Sequence, residues 1–274
     1  MKKILLIIVT FALIFFLGCD EESPVESGSN LFVVSAFLYQ GEPVQNVQIT
    51  STLLLGSTDT VAPPINSAIV ELIKEGNKYS LTQTLENPGY YNYAGNDLMV
   101  SPGDQFRIEV TYDGRLAYGE TFVPNIPENI ALSSTTLQVP EFSFGGFGGG
   151  SFNIDDYSIL LSWDNFDASY YYVVIDNLET DPEPIFEDLP FGEFRRFISS
   201  PSKTAEYRIS PVSVIYFGDH QAILYKVNQE YADLYESREQ DSRNLQEPLT
   251  NMVNAFGVFS AFASDTVYFN VIPE

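Results

Sequence analysis

Residues 101–124 read "SPGDQFRIEVTYDGRLAYGETFVP". Pro102-Gly103 is a turn signal, and after it Phe106, Ile108 and Val110 fall on every second position. Asp113-Gly114 follows, the dipeptide that supplies the two positive-φ positions of a tight hairpin turn. Leu116 and Tyr118 then resume the alternation. Side chains of a strand point alternately to opposite faces, so this pattern predicts two antiparallel strands with one buried face.

The same grammar extends in both directions. Upstream, "NLFVVSAFLYQGEPVQNVQITSTL" (30–53) turns at Gly41-Glu42-Pro43 and alternates through Val44, Val47 and Ile49. "SAIVELIKEGNKYSLTQT" (67–84) alternates at Ala68, Val70 and Leu72, turns at Glu75-Gly76-Asn77 and resumes at Tyr79 and Leu81; "NPGYYNYAG" brings tyrosines in behind Pro88-Gly89. Short strands with turn signals at this spacing predict an antiparallel sandwich. The chain holds 17 Tyr and 21 Phe, and aromatic rings pack well on a pleated surface. The first sandwich is predicted over 30–125. "VPNIPENI" (123–130), with two prolines and no period, suits a boundary.

Downstream, "EFSFGGFGGGSFNIDD" (141–156) is glycine-rich, but "GGFGGG" lacks the Lys-Ser/Thr of a phosphate-binding loop. It reads as a mobile loop or hairpin tip, and Phe142, Phe144, Phe147 and Phe152 make it a candidate contact surface. Leu161-Ser162-Trp163 and Tyr170 to Ile175 then read as two consecutive strands of a fibronectin-III-like sandwich, with Trp163 in its core. Val227, Tyr231, Leu234, Tyr235 and Arg238 follow helical spacing. A helix is expected over 228–243, with Asn228 as its cap and Glu230 favourable in its first turn. "FGVFSAFASDTVYFNV" (256–271) supplies closing strands. The expected fold class is therefore mainly β: two antiparallel β-sandwich (Ig/fibronectin-III-like) domains, 30–125 and 128–274, with one amphipathic helix near the C-terminus.

Chemistry is sparse. His220, the lone histidine, reads as a surface or turn residue, and one histidine without a Gly-x-Ser-x-Gly leaves no nucleophile machinery. Zinc ligation lacks ligands. Asp155-Asp156 and Asp164-Asn165-Phe166-Asp167 are oxygen-rich but lack calcium-loop spacing. Carboxylates are plentiful and sit mostly in turns, so a two-carboxylate hydrolase stays open on composition alone. The reading is of a non-enzyme that needs no cofactor and no metal.

The start of the chain is more informative. Lys2 and Lys3 precede an apolar run from Ile4 to Leu17, too short for the ~20 residues that span a bilayer and suited to a signal peptide over 1–18. It ends in Phe16-Leu17-Gly18-Cys19, which resembles a bacterial lipobox with Phe16 where Leu is commoner. That resemblance implies cleavage before Cys19 and acylation of Cys19 with palmitate-type chains. No other cysteine exists, so no internal disulfide competes for it. Each buried CH₂ of an acyl chain contributes ~0.8 kcal/mol, so two or three chains hold a protein on a membrane. Asp20, Glu21 and Glu22 follow at once and resemble the export signal that sends Bacteroidota lipoproteins to the cell surface. Residues 19–29 form an acidic tether. Without Lys2 and Lys3, the 11 basic and 37 acidic residues that remain leave a formal charge of −26. That excludes a nucleic-acid partner, which needs a basic footprint, and an electrostatic hold on anionic lipid.

A lipobox, the segments "AIVEL", "GNKYSLT", "PGYY", "VSPGDQFRIEV" and "YGETFVP", and the tail with Asn251, Asn254, Gly257, Phe259, Ser260 and Ala261 together resemble the Bacteroidota outer-membrane lipoproteins known as domain of unknown function 4249. The resemblance implies an outer-membrane location and a neighbouring TonB-dependent barrel, and it carries over no catalytic residues. The expected role is accessory subunit of an outer-membrane β-barrel, a TonB-dependent nutrient importer first. An assembly or secretion barrel, or a free-standing glycan- or peptide-binding adhesion module, stands as the alternative.

Overall fold

The computed structural model describes residues 31–53, 58, 60–139, 157–185, 195–238 and 250–274. The chain first lays down β1 (Phe32–Tyr39), β2 (Val47–Ser51), β3 (Ile69–Lys74), β4 (Asn77–Gln83), β5 (Tyr90–Asn92), β6 (Gln105–Tyr112) and β7 (Arg115–Phe122). It continues through β8 (Ala131–Leu132), β9 (Thr136–Val139), β10 (Ile159–Ser162), β11 (Tyr170–Asn177), β12 (Arg196–Ile198), β13 (Glu206–Ile209) and β14 (Gly218–Val227). Helix α1 (Gln229–Arg238), β15 (Met252–Val253) and the long β16 (Phe256–Pro273) complete it.

The hairpin that decides the fold forms as expected. Tyr112 pairs with Arg115 across Asp113 (φ 49°) and Gly114 (φ 73°), and Lys74 pairs with Asn77 across Glu75 (φ 50°) and Gly76 (φ 80°). Positive φ at both central residues gives a turn whose twist matches that of the strands. The first lobe runs β16-β1-β2-β5-β4-β3-β6-β7-β15 and folds back on itself around one core. That core takes the inward residues Phe32, Val34, Ala36 and Leu38 of β1 and Phe106, Ile108 and Val110 of β6, with Tyr91 and Phe259. Tyr91 Oη donates to the Ile65 carbonyl and accepts the Ala68 N–H, which settles the one polar atom of a buried ring.

The second lobe is a sandwich of β13-β10-β8 against β12-β11-β14-β16, with β9 pairing along β16. Three strands facing four in this order is the immunoglobulin/fibronectin-III arrangement. Trp163 lies in its core beside Tyr171, ring centroids 5.4 Å apart.

β16 is shared between the two sandwiches. Its first half pairs in parallel with β1, from Val33↔Phe256 to Tyr39↔Phe262. Its second half pairs antiparallel with β14, from Val227↔Phe262 to Gly218↔Val271. Phe262 is thus opposite a residue of each lobe, and Met252, Ala255, Phe259 and Ala261 bury in the first core although they follow the second lobe in sequence. Phe32–Glu274 is one compact unit. Residues 258–263 are buried on both faces: the first core lies on one side, and on the other Phe262 meets Tyr172, Tyr231, Phe37 and Tyr39. Burial pushes the Tyr39 hydroxyl up to about 12.

The seam between β7 and β16 is closed by side chains. Asn251 Nδ2 donates to the Phe259 carbonyl at 2.6 Å and to the Glu120 carbonyl at 3.3 Å, and its Oδ1 accepts the Phe259 N–H at 2.9 Å. One amide thereby imitates a strand residue. Asn254 Nδ2 donates to the Leu116 carbonyl at 3.0 Å and Asn228 Nδ2 to the Phe122 carbonyl at 2.7 Å. The Nδ2 group of Asn228 thus serves the sheet, while its backbone carbonyl takes the N–H of Tyr231 as the helix begins. Glu230 Oε1 accepts from Thr121 Oγ1 at 2.9 Å and from Ser260 Oγ at 3.2 Å, tying α1 to β7 and β16. The helix is described to Arg238, and residues 239–243 of its expected span lie outside the described residues.

Two predictions follow from β16. Gly257 has φ +103°, and a Cβ there would stand 1.9 Å from the Val34 carbonyl oxygen. Gly257→Ala is expected to cost about 3 kcal/mol or more, whereas Gly41→Ala, also at positive φ (+78°) but in open space, costs about 1 kcal/mol. Asn251→Ala strands the buried N–H and C=O of Phe259 and is expected to cost about 3 kcal/mol. Thermal melts check both: for a body of this size 1 kcal/mol moves Tm by roughly 2–4 °C.

Candidate functional site

Cys19, Asp20, Glu21 and Glu22 lie outside the described residues, as do Asp155, Asp156 and the glycine-rich stretch 145–150. Among the described residues, a concavity sits where the chain passes from the first lobe to the second. Asn125, Ile126 and Glu128 of the connection form one wall; Asp164, Phe166 and Asp167 of the β10–β11 loop form the other; Tyr171 and Lys226 complete it. Its volume is about 200 Å³.

The loop is shaped by Asn165. Its Oδ1 accepts the Ser169 N–H at 2.9 Å, and its Nδ2 donates to the carbonyls of Ser169 at 3.0 Å and Lys203 at 2.9 Å. This uses both ends of the amide, so Asn165 is a scaffold and not a ligand. Ala168 takes φ 51° to complete the bend. The bend leaves the Phe166 ring 92% exposed at the lip of the cleft. Asp167 Oδ2 accepts from Lys226 Nζ at 2.7 Å, and this hydrogen bond, against the opposing effect of burial, holds the Asp167 carboxyl below the usual carboxylate range. Asp164 Oδ2 accepts from Asn129 Nδ2 at 2.6 Å. The acids singled out in Asp164-Asn165-Phe166-Asp167 therefore already have protein partners. No group of three or more His, Cys, Asp or Glu stands close enough to hold a metal ion among the described residues. The cleft offers an exposed aromatic face, carboxylate and amide acceptors and one ammonium, which suits reversible binding. Lys226 was not legible as part of it: it follows Asp167 by 59 residues, and only the pairing of β11 with β14 brings the two together.

A second cavity, about 230 Å³, opens beside the start of α1 and is lined by Gln229, Glu230, Asp233, Thr250 and Asn251. Glu230 and Asn251 are committed to the seam, and Gln229 Nε2 donates to Asp233 Oδ1 at 2.6 Å.

His220 is a core residue, 2% exposed, and not the surface residue that its neighbours in sequence suggested. It opens β14 on the inward side and stacks on Phe269, ring centroids 5.3 Å apart. Nδ1 donates to the Gly218 carbonyl at 2.9 Å and Nε2 accepts from Asn177 Nδ2 at 3.3 Å, the tautomer these partners require. Burial pushes its pKa below the ordinary value. The void beside it is about 10 Å³, room for roughly one water. The folded pKa is depressed relative to ~6.5 in the unfolded chain, so the fold binds the proton less well. Its contribution is complete above about pH 6.5 and is lost as pH falls through that value toward the folded pKa. Tm is expected to drop over this window, and His220→Gln to flatten that drop in a melt series across pH.

Comparison with known proteins adds the lineage. No curated protein matches the sequence. Among solved structures, the chain is similar to the crystal structure of chicken CNTN1 FN1-FN3 domains at 11% identity and TM-score 0.27, covering 71% of this chain and 58% of that one. It is similar to domains A168-A170 from titin at 10% identity and TM-score 0.23, covering 71% of this chain and 56% of that one. The chain thus spans little more than half the length of the structures it matches. The fold assignment rests on the strand order itself. Residues 20–267 match the family described as domain of unknown function (DUF4249), and over this nearly complete span the chain belongs to that family.

Proposed function

We propose that this chain is a non-enzymatic lipoprotein of the outer membrane, held by acylated Cys19 with its body toward the cell exterior, and that it serves as accessory subunit of an outer-membrane β-barrel. The first candidate barrel is a TonB-dependent nutrient importer. One observation carries the reading: Phe16-Leu17-Gly18-Cys19 is followed directly by Asp20, Glu21 and Glu22. An apolar leader, a lone thiol at its edge and acids immediately behind it make sense together as anchor and address. The strongly acidic body supports an extracytoplasmic, soluble setting. Asp167 and Asp164 of the junction cleft are spent on lysine and asparagine partners, which favours binding over catalysis.

A second reading, an independent glycan- or peptide-binding module, is favoured by the exposed Phe166 ring at that cleft. An assembly or secretion barrel as the partner is a variant of the first. Affinity purification of the tagged lipoprotein from detergent-solubilised native outer membrane separates them. The expected result is a stoichiometric β-barrel, whose identity distinguishes import from assembly; recovery of the lipoprotein alone contradicts the accessory role. Metabolic labelling with an acyl-chain analogue is expected to mark the wild type and not Cys19→Ser, and that variant is expected in the soluble fraction.

A further inference from the structure

The exposed apolar side chains of the first lobe are not scattered. β1 enters the lobe at Phe32, and the strand registers fix which residues share that end. Phe32 stands opposite Ser51, Val33 beside Phe256, Ile69 opposite Thr111, and Thr111 opposite Leu116. Leu53 and Val61 flank the excursion that leaves β2 after Ser51 and returns at Pro63, whose carbonyl accepts the Ser51 N–H. Leu85 is on the β4–β5 turn, beyond Gln83↔Tyr91. Val253, opposite Tyr118, is followed by Asn254, whose amide reaches the Leu116 carbonyl. All six therefore crowd the end at which the chain arrives from Cys19, the proximal pole. Leu85 is 93% exposed, Val61 77% and Ile69 63%. Of the exposed large apolar residues in the described part of this lobe, only Met99 and Phe122 fall at the opposite pole. Isolated exposed apolar residues are ordinary, and their concentration at one end is not.

We infer that the proximal pole rests on the lipid surface that carries the anchor, with its apolar loop tips seated at the headgroup boundary. The inference builds on the acylation of Cys19 proposed above. Chain length argues for this occupant. Twelve residues lead from Cys19 to Leu31, so the pole lies no farther than roughly 40 Å from the acyl chains. A tether this short makes surface contact an intramolecular event at millimolar effective concentration, so a contact with a dissociation constant near 1 mM is already half occupied. Charge argues for an apolar contact over an electrostatic one: among the described residues, Glu86, Asp113 and Arg115 stand on the turns at this end, two acids against one base. Contact is accordingly insensitive to salt and to anionic lipid.

The test uses the full-length acylated protein in vesicles of phosphatidylethanolamine and phosphatidylglycerol containing doxyl-labelled phosphatidylcholine. A fluorophore is placed at Val61→Cys, Leu85→Cys or, at the opposite pole, Met99→Cys; the Cys19 thiol is blocked by its own acyl chain. Mass spectrometry of Cys19 precedes the measurement. Labels at 61 and 85 are expected to be quenched roughly threefold or more over the label at 99, which stands about 25 Å away along the strands. If either loop label lowers Tm, Ile69→Cys and Leu116→Cys replace it. Equal quenching at both poles, or none at 61 and 85 in an acylated protein, overturns the inference and leaves the anchor standing. Labels that stay unquenched by lipid and become shielded when a co-purified barrel is added place the pole on protein, and also overturn it. A Cys19 without acyl chains overturns the anchor and this orientation together.

Discussion

The structure depends on the hydrogen bonding of one strand. β16 runs for 18 residues, three times the usual strand length, and it changes partner at Phe262 from β1 on one edge to β14 on the other. Two geometric conditions permit this. The backbone of β16 must approach β1 so closely at Gly257 that no side chain fits against Val34, and positive φ there is available to glycine at little cost. The opposite edge of the first half must also be satisfied without a neighbouring strand, which Asn251 does with one amide. A buried backbone group without a partner costs about as much as a lost hydrogen bond, so these two residues let a strand of the second lobe serve as a wall of the first.

Local structure was legible in the sequence wherever its cause was local. Asp113-Gly114 and Glu75-Gly76 form tight turns because Gly114, Gly76 and, less readily, Asp113 accept positive φ, and Phe106, Ile108 and Val110 bury because alternation maps directly onto a face. Trp163 took its core place for the same reason. The parallel pairing of β1 with β16 joins residues more than 200 positions apart, and no periodicity encodes a partner. One signal was present: "VFSAFA" (258–263) is a continuous run of apolar and small residues instead of an alternating one, as expected of a strand buried on both faces. His220 escaped similarly. It looked like a turn residue in its own neighbourhood, and it is set by contacts from distant strands, Phe269 and Asn177.

The candidate site shows the same division. Asp164-Asn165-Phe166-Asp167 announced an oxygen-rich loop, but not that Asn165 builds the loop, that Lys226 neutralises Asp167 or that Phe166 is left facing solvent. The few basic side chains are largely drawn into such pairs. Lys78 joins Glu71 and Glu109, and Arg107 joins Glu109 and Glu120 while lying 3.9 Å over the Tyr118 ring. On the first lobe, most of the exposed large apolar side chains gather at one pole, and one aromatic ring, Phe166, stands at the junction cleft. A compact unit with an apolar pole gives a short tether something to orient, and that links the architecture to the proposed life on a membrane.

The central claim is that β16 makes the two lobes one cooperative unit. Differential scanning calorimetry of the full-length Cys19→Ser chain tests it directly. The account predicts a single transition whose calorimetric and van 't Hoff enthalpies agree, because neither core is complete without β16. Two resolved transitions, or a calorimetric enthalpy about twice the van 't Hoff value, would show that the lobes unfold separately and that the shared strand does not couple them.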